Sequence, residues 1–263
     1  MTRVSVPVGI DQFVPGGHGS AFDRVGAFQV GFMNGPATCS DLLDDPLPLV
    51  PNQFTLGDLE QERAGDAAFG FEEDQLLSFI PTDLNLYWDE ELAARIPELD
   101  GLSLVVAQST AGVRCSDLRG DLSRGTALCP STGEVYFNEQ EAFELYDVFG
   151  DFSVGYVLGW AWSEAVQLAL ETGLQGEPRE LLNDCLTGAW VNTVVPVDFQ
   201  LPQPRSEDRT VSVSGGDLDE AIQTVILQAD LSSDDDILGS AFEKIDAFRQ
   251  GVLGGLDACL PDL

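Results

Sequence analysis

Histidine and lysine are nearly missing from this chain: 263 residues contain one of each, His18 and Lys244. A metal site built on two imidazoles is therefore excluded within one chain. A Ser-His-Asp triad would have to draw on His18, which lies in a Gly-Gly-His-Gly segment that reads as a loop. Basic residues are also few, 12 against 45 acidic ones, for a formal net charge of −33. That balance excludes nucleic acid as a partner, because phosphate binding requires clustered Lys and Arg; acidic membranes are excluded on the same ground. It suits solubility and saline or calcium-containing surroundings. Long apolar runs are missing too. Val154–Trp162 is far shorter than a membrane-spanning segment. No Cys-x-x-Cys pair is present, which argues against a zinc knuckle. There is no Gly-x-Gly-x-x-Gly, P-loop, Gly-x-Ser-x-Gly or kinase motif. The acidic runs Glu72–Asp74 and Asp234–Asp236 lack the spacing of a calcium loop and read as solvated segments.

What is present suffices for a core: 44% of residues are apolar, in a length that fits one large domain or two smaller ones. An internal repeat stands out. Gly19–Cys39 recurs as Gly239–Cys259 at a constant offset of 220 residues, without gaps. Phe22, Val25, Phe28 and Phe32 in the first copy, and Phe242, Ile245, Phe248 and Val252 in the second, fall at helical spacing. Each copy predicts an amphipathic helix with a glycine-rich stop and a terminal cysteine.

Between the copies, residues 40–56 are proline-rich and read as a connector. Short helices are predicted at Gly57–Ala64 and Glu72–Ile80, and another opening at Pro81 and running to Ala94. Leu102–Ala107 and Glu134–Phe137 read as strands. Helices follow over Glu139–Phe149, Gly150–Thr172, from near Pro178 to Trp190, from Gly216 to Ala229, and over Ile237–Leu253. Residues 193–213 read as irregular with a possible edge strand at Thr210–Val213. The sum is α+β, predominantly helical, with a small β-sheet. Residues 1–56 form one unit and 57–263 a second.

Several short segments occur in a characteristic order: Cys115, then Leu128-Cys129-Pro130, Glu134-Val135-Tyr136-Phe137, Phe149-Gly150-Asp151-Phe152, Tyr156-Val157-Leu158-Gly159, and Glu180-Leu181-Leu182-Asn183-Asp184-Cys185-Leu186-Thr187-Gly188. Gly216–Ala221 and Gly239–Lys244 continue the pattern. This order resembles the bacterial neutral zinc metallopeptidase family over residues 100–259. The resemblance implies a zincin-like fold. In such a fold two His at i and i+4 on one helix bind zinc and the intervening Glu serves as base. A Glu from a second helix completes the ligands, and an Asp one turn later orients them. Here Trp160, Ala161 and Glu164 occupy the first ligand, base and second ligand positions, while Glu180 and Asp184 keep theirs. Zinc, expected in the family, is thus expected to be missing its ligands in this chain.

The resemblance further implies a Cys115–Cys129 disulfide and a second bridge from Cys185 to the last helix. Cys259 is the expected partner, leaving Cys39 free, and Cys185–Cys39 stays open as the alternative. Two bridges point to an extracellular or cell-envelope location, although Met1–Val8 lacks the features of an export signal. The N-terminal repeat then resembles the tail of a preceding unit; the alternative is a helix that packs on the same core as a pseudo-symmetric partner. Trp160 and Trp162 are expected to fill the emptied cleft. The implied function is that of a catalytically inactive metallopeptidase homologue that binds, scaffolds or regulates. Its partner would be a protein, such as an active metallopeptidase unit or a tandem copy. Two alternatives are a hydrolase with a rebuilt carboxylate site at Glu164, Glu180 and Asp184, and an acidic structural subunit of a surface assembly.

Overall fold

A computed structural model describes residues 21–50, 70–71, 75–92, 101–107, 113–120, 122, 125–197, 200–202, 205–214, 216–231 and 237–261. His18, the Gly57–Ala64 helix, Glu72–Asp74, Asp234–Asp236 and the end of the connector lie outside them. The elements run α1 (Ala21–Asn34), α2 (Pro36–Asp41), α3 (Leu76–Leu92), β1 (Ser103–Ala107), β2 (Arg119–Gly120), β3 (Thr126–Cys129), β4 (Glu134–Asn138), α4 (Glu139–Phe149), α5 (Asp151–Ala169), α6 (Glu177–Asn192), α7 (Asp217–Leu231) and α8 (Ile237–Cys259). The fold is α+β and mostly helical, with a four-stranded sheet of order β1-β4-β3-β2. β1 runs parallel to β4, and the other neighbours are antiparallel. Among the described residues no helix is long and apolar enough to cross a membrane.

Local chemistry sets the boundaries of these elements. Val135, Tyr136 and Phe137 are β-formers with buried side chains, so the strand persists until Asn138. The Asn138 carboxamide then accepts from the backbone N–H of Gln140 and Glu141, capping α4. α3 departs from the sequence reading, which predicts two helices meeting at Pro81. It is one helix with Pro81 inside. The lost N–H bond at Pro81 is offset by burial on both sides of it: Leu76, Leu77 and Ile80 before, Leu84, Tyr87, Trp88 and Leu92 after. At Thr210–Val213 there is no strand; Val213 N–H donates to the Val194 carbonyl at 2.9 Å.

α5 is the central post. Nearly all of its nineteen residues are buried, against α3, α4, α6, α7 and β3. A helix with apolar residues all round it can only be stable when surrounded in this way, and its few polar side chains, Glu164 and Gln167 among them, are hydrogen-bonded to α6. α6 and α8 form the most intimate pair. A Cβ placed on Gly188 would lie 2.1 Å from the Phe248 carbonyl oxygen, and one on Gly251 would lie 2.0 Å from that of Cys185. Two glycines thus let the backbones touch, and the Cys185–Cys259 disulfide staples the same contact. The second disulfide, Cys115–Cys129, ties the end of β3 to the segment before β2, and Cys39 is free and exposed.

The irregular segment after α6 is held by charge. Asp83 of α3 is buried and accepts from Arg209 Nη2 at 2.9 Å and from the Trp190 indole N–H at 2.9 Å. Arg205 lies 3.4 Å from the other Asp83 oxygen and also donates to the carbonyls of Thr193, Arg209 and Val211. The Arg209 guanidinium sits 5.1 Å from the centre of the Tyr87 ring.

The two repeat copies fold alike and pack on each other. The first is α1, a break at Gly35 (φ 84°, ψ 174°), and the short α2 carrying Cys39. The second is α8, broken at Gly255 (φ 63°, ψ −157°) four residues before Cys259. Left-handed φ values at equivalent positions account for the glycine in both copies. The contacts are reciprocal. Phe22 meets Phe248 at 5.9 Å between ring centroids, and their repeat mates Phe242 and Phe28 meet at 5.8 Å. Gln29 donates to the Phe242 carbonyl, while Arg249, the mate of Gln29, lies over the Phe22 ring. Reciprocity of this kind defines a local pseudo-two-fold axis between α1 and α8.

Candidate functional site

The cleft over the resemblance positions is formed by α5, α6, α8 and the β2–β3 edge. Its volume is about 320 Å³. Trp160, Ala161 and Glu164 face it from α5; Arg179, Glu180 and Asn183 from α6; Lys244 from α8; and Arg119 from β2. Spacing explains the grouping. Positions 160, 161 and 164 share one face of a helix, as do 179, 180 and 183.

Two polar clusters line it. In the first, Lys244 Nζ lies 2.7 Å from Glu180 Oε2 and 3.6 Å from Asp184 Oδ2. Asp184 is fully buried and accepts from the Tyr156 hydroxyl at 2.5 Å. Burial pushes the Asp184 pKa up to about 6, against the opposing pull of the Lys244 charge and the Tyr156 hydrogen bond. Burial, reinforced by Asp184, holds the Tyr156 phenol well above its ordinary range, so it stays a donor. Burial works against the Lys244 charge, but Asp184 and Glu180 outweigh it and raise the lysine pKa. In the second cluster Glu164, also buried, is ion-paired to Arg179 and accepts from Asn183 Nδ2 at 3.0 Å. Gln167 Nε2 donates to Asn183 Oδ1 at 2.6 Å and fixes the orientation of that amide.

The structure therefore brings Trp160, Ala161, Glu164 and Glu180 to one cleft, with Asp184 sealed beneath Lys244. Trp162 faces the other way. It is buried toward α3 and donates its indole N–H to Asn85 Oδ1 at 2.8 Å. Trp160 is partly buried, and its indole nitrogen has no hydrogen-bond partner among the described residues. Sequence reasoning missed Lys244 and Arg179 as site residues. A lone lysine in a chain of 45 acids was a signal for the first; for the second, nothing in the sequence singled it out.

Zinc does not fit this donor set. Each carboxylate that would face the metal already holds a cation of the protein: Glu164 the Arg179 guanidinium, Glu180 and Asp184 the Lys244 ammonium. The remaining groups at the ligand positions are an indole and a methyl, neither a zinc ligand.

A second carboxylate group, Asp151, Asp217 and Glu220, gathers where α5 and α7 begin. Burial, with Asp217 and Asp151 adding like charge, holds the Glu220 pKa well above its usual range. No family model, no curated protein and no solved structure matches this chain.

Proposed function

We propose that the chain is a catalytically inactive homologue of zinc metallopeptidases, with a zincin-like ancestry, that binds a protein segment instead of cleaving it. One observation carries this reading. The Lys244 ammonium stands 2.7 Å from Glu180, neutralising the carboxylate at the position where the resembling family has a ligand. An internal cation of this kind contributes the electrostatic balance a metal would supply, without a Lewis acid to activate water. The Arg119 guanidinium and the Trp160 indole, which line the cleft, suit a ligand that offers carbonyl or carboxylate oxygens. A carboxylate-based hydrolase draws less support, because Asp184 is sealed from solvent and Glu164 is already paired. The two disulfides are compatible with an extracellular or cell-envelope setting.

The test is metal analysis of the purified protein, with calorimetric titration of zinc and a peptidase assay before and after chelation. The expected result is substoichiometric zinc, no titration heat at the cleft and no turnover. Stoichiometric zinc with chelator-sensitive peptide cleavage overturns the proposal.

A further inference from the structure

The repeat copies are similar in sequence and backbone but differ in what covers them. In α8, Phe248 and Val252 are buried, Gly251 meets the α6 backbone, and Cys259 is bonded to Cys185 of α6. Their mates in the first copy are Phe28, Phe32, Gly31 and Cys39. Phe28 and Phe32 are each 61% exposed, with Met33 beside them at 60%. Over Gly31, the position at which its mate Gly251 meets the α6 backbone, the nearest side-chain atom among the described residues is the Cys39 sulfur itself. The pseudo-two-fold relating α8 to α1 carries α6 onto this uncovered face.

We propose that α1 and α2 form a docking groove for a second helix of the α6 kind, supplied by another protein unit. The occupant is an amphipathic helix with a Cys-x-x-Gly sequence. Its glycine meets Gly31, its apolar side chains cover Phe28 and Phe32, and its cysteine faces Cys39. The groove selects glycine for a steric reason: across the α6–α8 contact there is no room for a Cβ on either helix. A second copy of this chain is not the occupant, because its α6 is already covered by its own α8 and its Cys185 is bonded. An apolar patch of stacked aromatics on a chain with net charge −33 is a binding feature and not a solubility feature.

The covalent step is an exchange. The Cys39 thiol loses its proton to solvent, and the thiolate attacks the partner cysteine's sulfur while that cysteine is held in a disulfide with a small thiol. The small thiol leaves as thiolate with the electron pair; one S–S bond forms as one breaks, with no net oxidation.

The probe is a synthetic peptide with the sequence of residues 177–192, its cysteine activated as a mixed disulfide with thionitrobenzoate. It is added to the full chain with both native disulfides intact, and release of the coloured thiolate is followed. Docking before exchange raises the effective concentration, so the native peptide is expected to react at least about tenfold faster than a scrambled peptide. Phe28→Ala with Phe32→Ala, two side chains already exposed, brings the native peptide down to the scrambled rate. A Gly→Leu change at the peptide's equivalent of Gly188 does the same. Equal rates for native and scrambled peptides overturn the proposal. So does product formation in Cys39→Ser, or a Cys39–Cys39 dimer as the main product.

Discussion

Lys244 and Asp184 approach to 3.6 Å in a pocket where the carboxylate has no access to water. The Asp184 pKa is raised from 3.8 to about 6. A raised carboxyl contributes stability in its protonated form. That contribution is complete below 3.8 and fades as pH climbs through 6, leaving Lys244 to balance the charge above it. Lys244→Met leaves an uncompensated buried carboxylate and should cost about 3 kcal/mol at pH 8, where Asp184 is ionised. At pH 5 the loss should shrink, because Asp184 carries its own proton. Urea denaturation at the two pH values reads the difference; equal losses contradict the assignment.

The Glu220 pKa is also raised, by burial and by its neighbours Asp217 and Asp151. By the same sign rule, its contribution is present at low pH and is lost on raising the pH. Glu220→Gln removes the charge while keeping an oxygen to accept from the Phe152 N–H. The variant should be more stable than the parent at pH 8, with the advantage vanishing at pH 4. Paired thermal melts across that range provide the check.

Asp83 binds two guanidiniums and an indole in a region closed to solvent. Asp83→Asn removes the buried carboxylate that Arg205 and Arg209 share, with Glu90 still 3.4 Å from Arg209, and should destabilise by about 3 kcal/mol. Released arginines should also loosen residues 193–213. Limited proteolysis should therefore cut there first in the variant and not in the parent.

Gly188→Ala places a methyl carbon inside the Phe248 carbonyl. With backbone on the other side, no side chain can yield, so the cost should exceed the about 1 to 3 kcal/mol usual for overpacking. Gly159→Ala meets the Thr187 methyl and the Trp190 ring edge, which are side-chain atoms, and should cost less. Chemical denaturation of the two variants ranks them.

Legibility in the sequence followed the range of the interaction. α4 could be read to the residue because its signals are local, an aromatic and β-branched run followed by a capping asparagine. Glu180 and Asp184 were singled out through the resemblance, whose pattern sets them four residues apart on one helix. Lys244 was not placed with it, since sixty-odd residues separate them in the chain and only packing of α8 on α6 joins them. α3 was split at Pro81 because proline commonly opens helices; the burial that overrides that preference comes from the rest of the core. β2 and β3 carry no alternation to detect, one having two residues and the other being buried throughout. On α1, helical periodicity identified the aromatic stripe but not what covers it. Phe22, Asp23, Gly26 and Gln29 turned out to be the buried face.

The bridge from Cys185 to Cys259 closes a ring of chain that includes Lys244 and the whole of α7. Tension applied at the C-terminal end therefore passes through sulfur into α6 and bypasses the chain between the two cysteines, which stand 74 positions apart. Lys244, which faces the cleft from α8, lies within that mechanically shielded arc, so a chain pulled by its tail should keep this cation seated on Glu180 under load until the sulfur link is reduced.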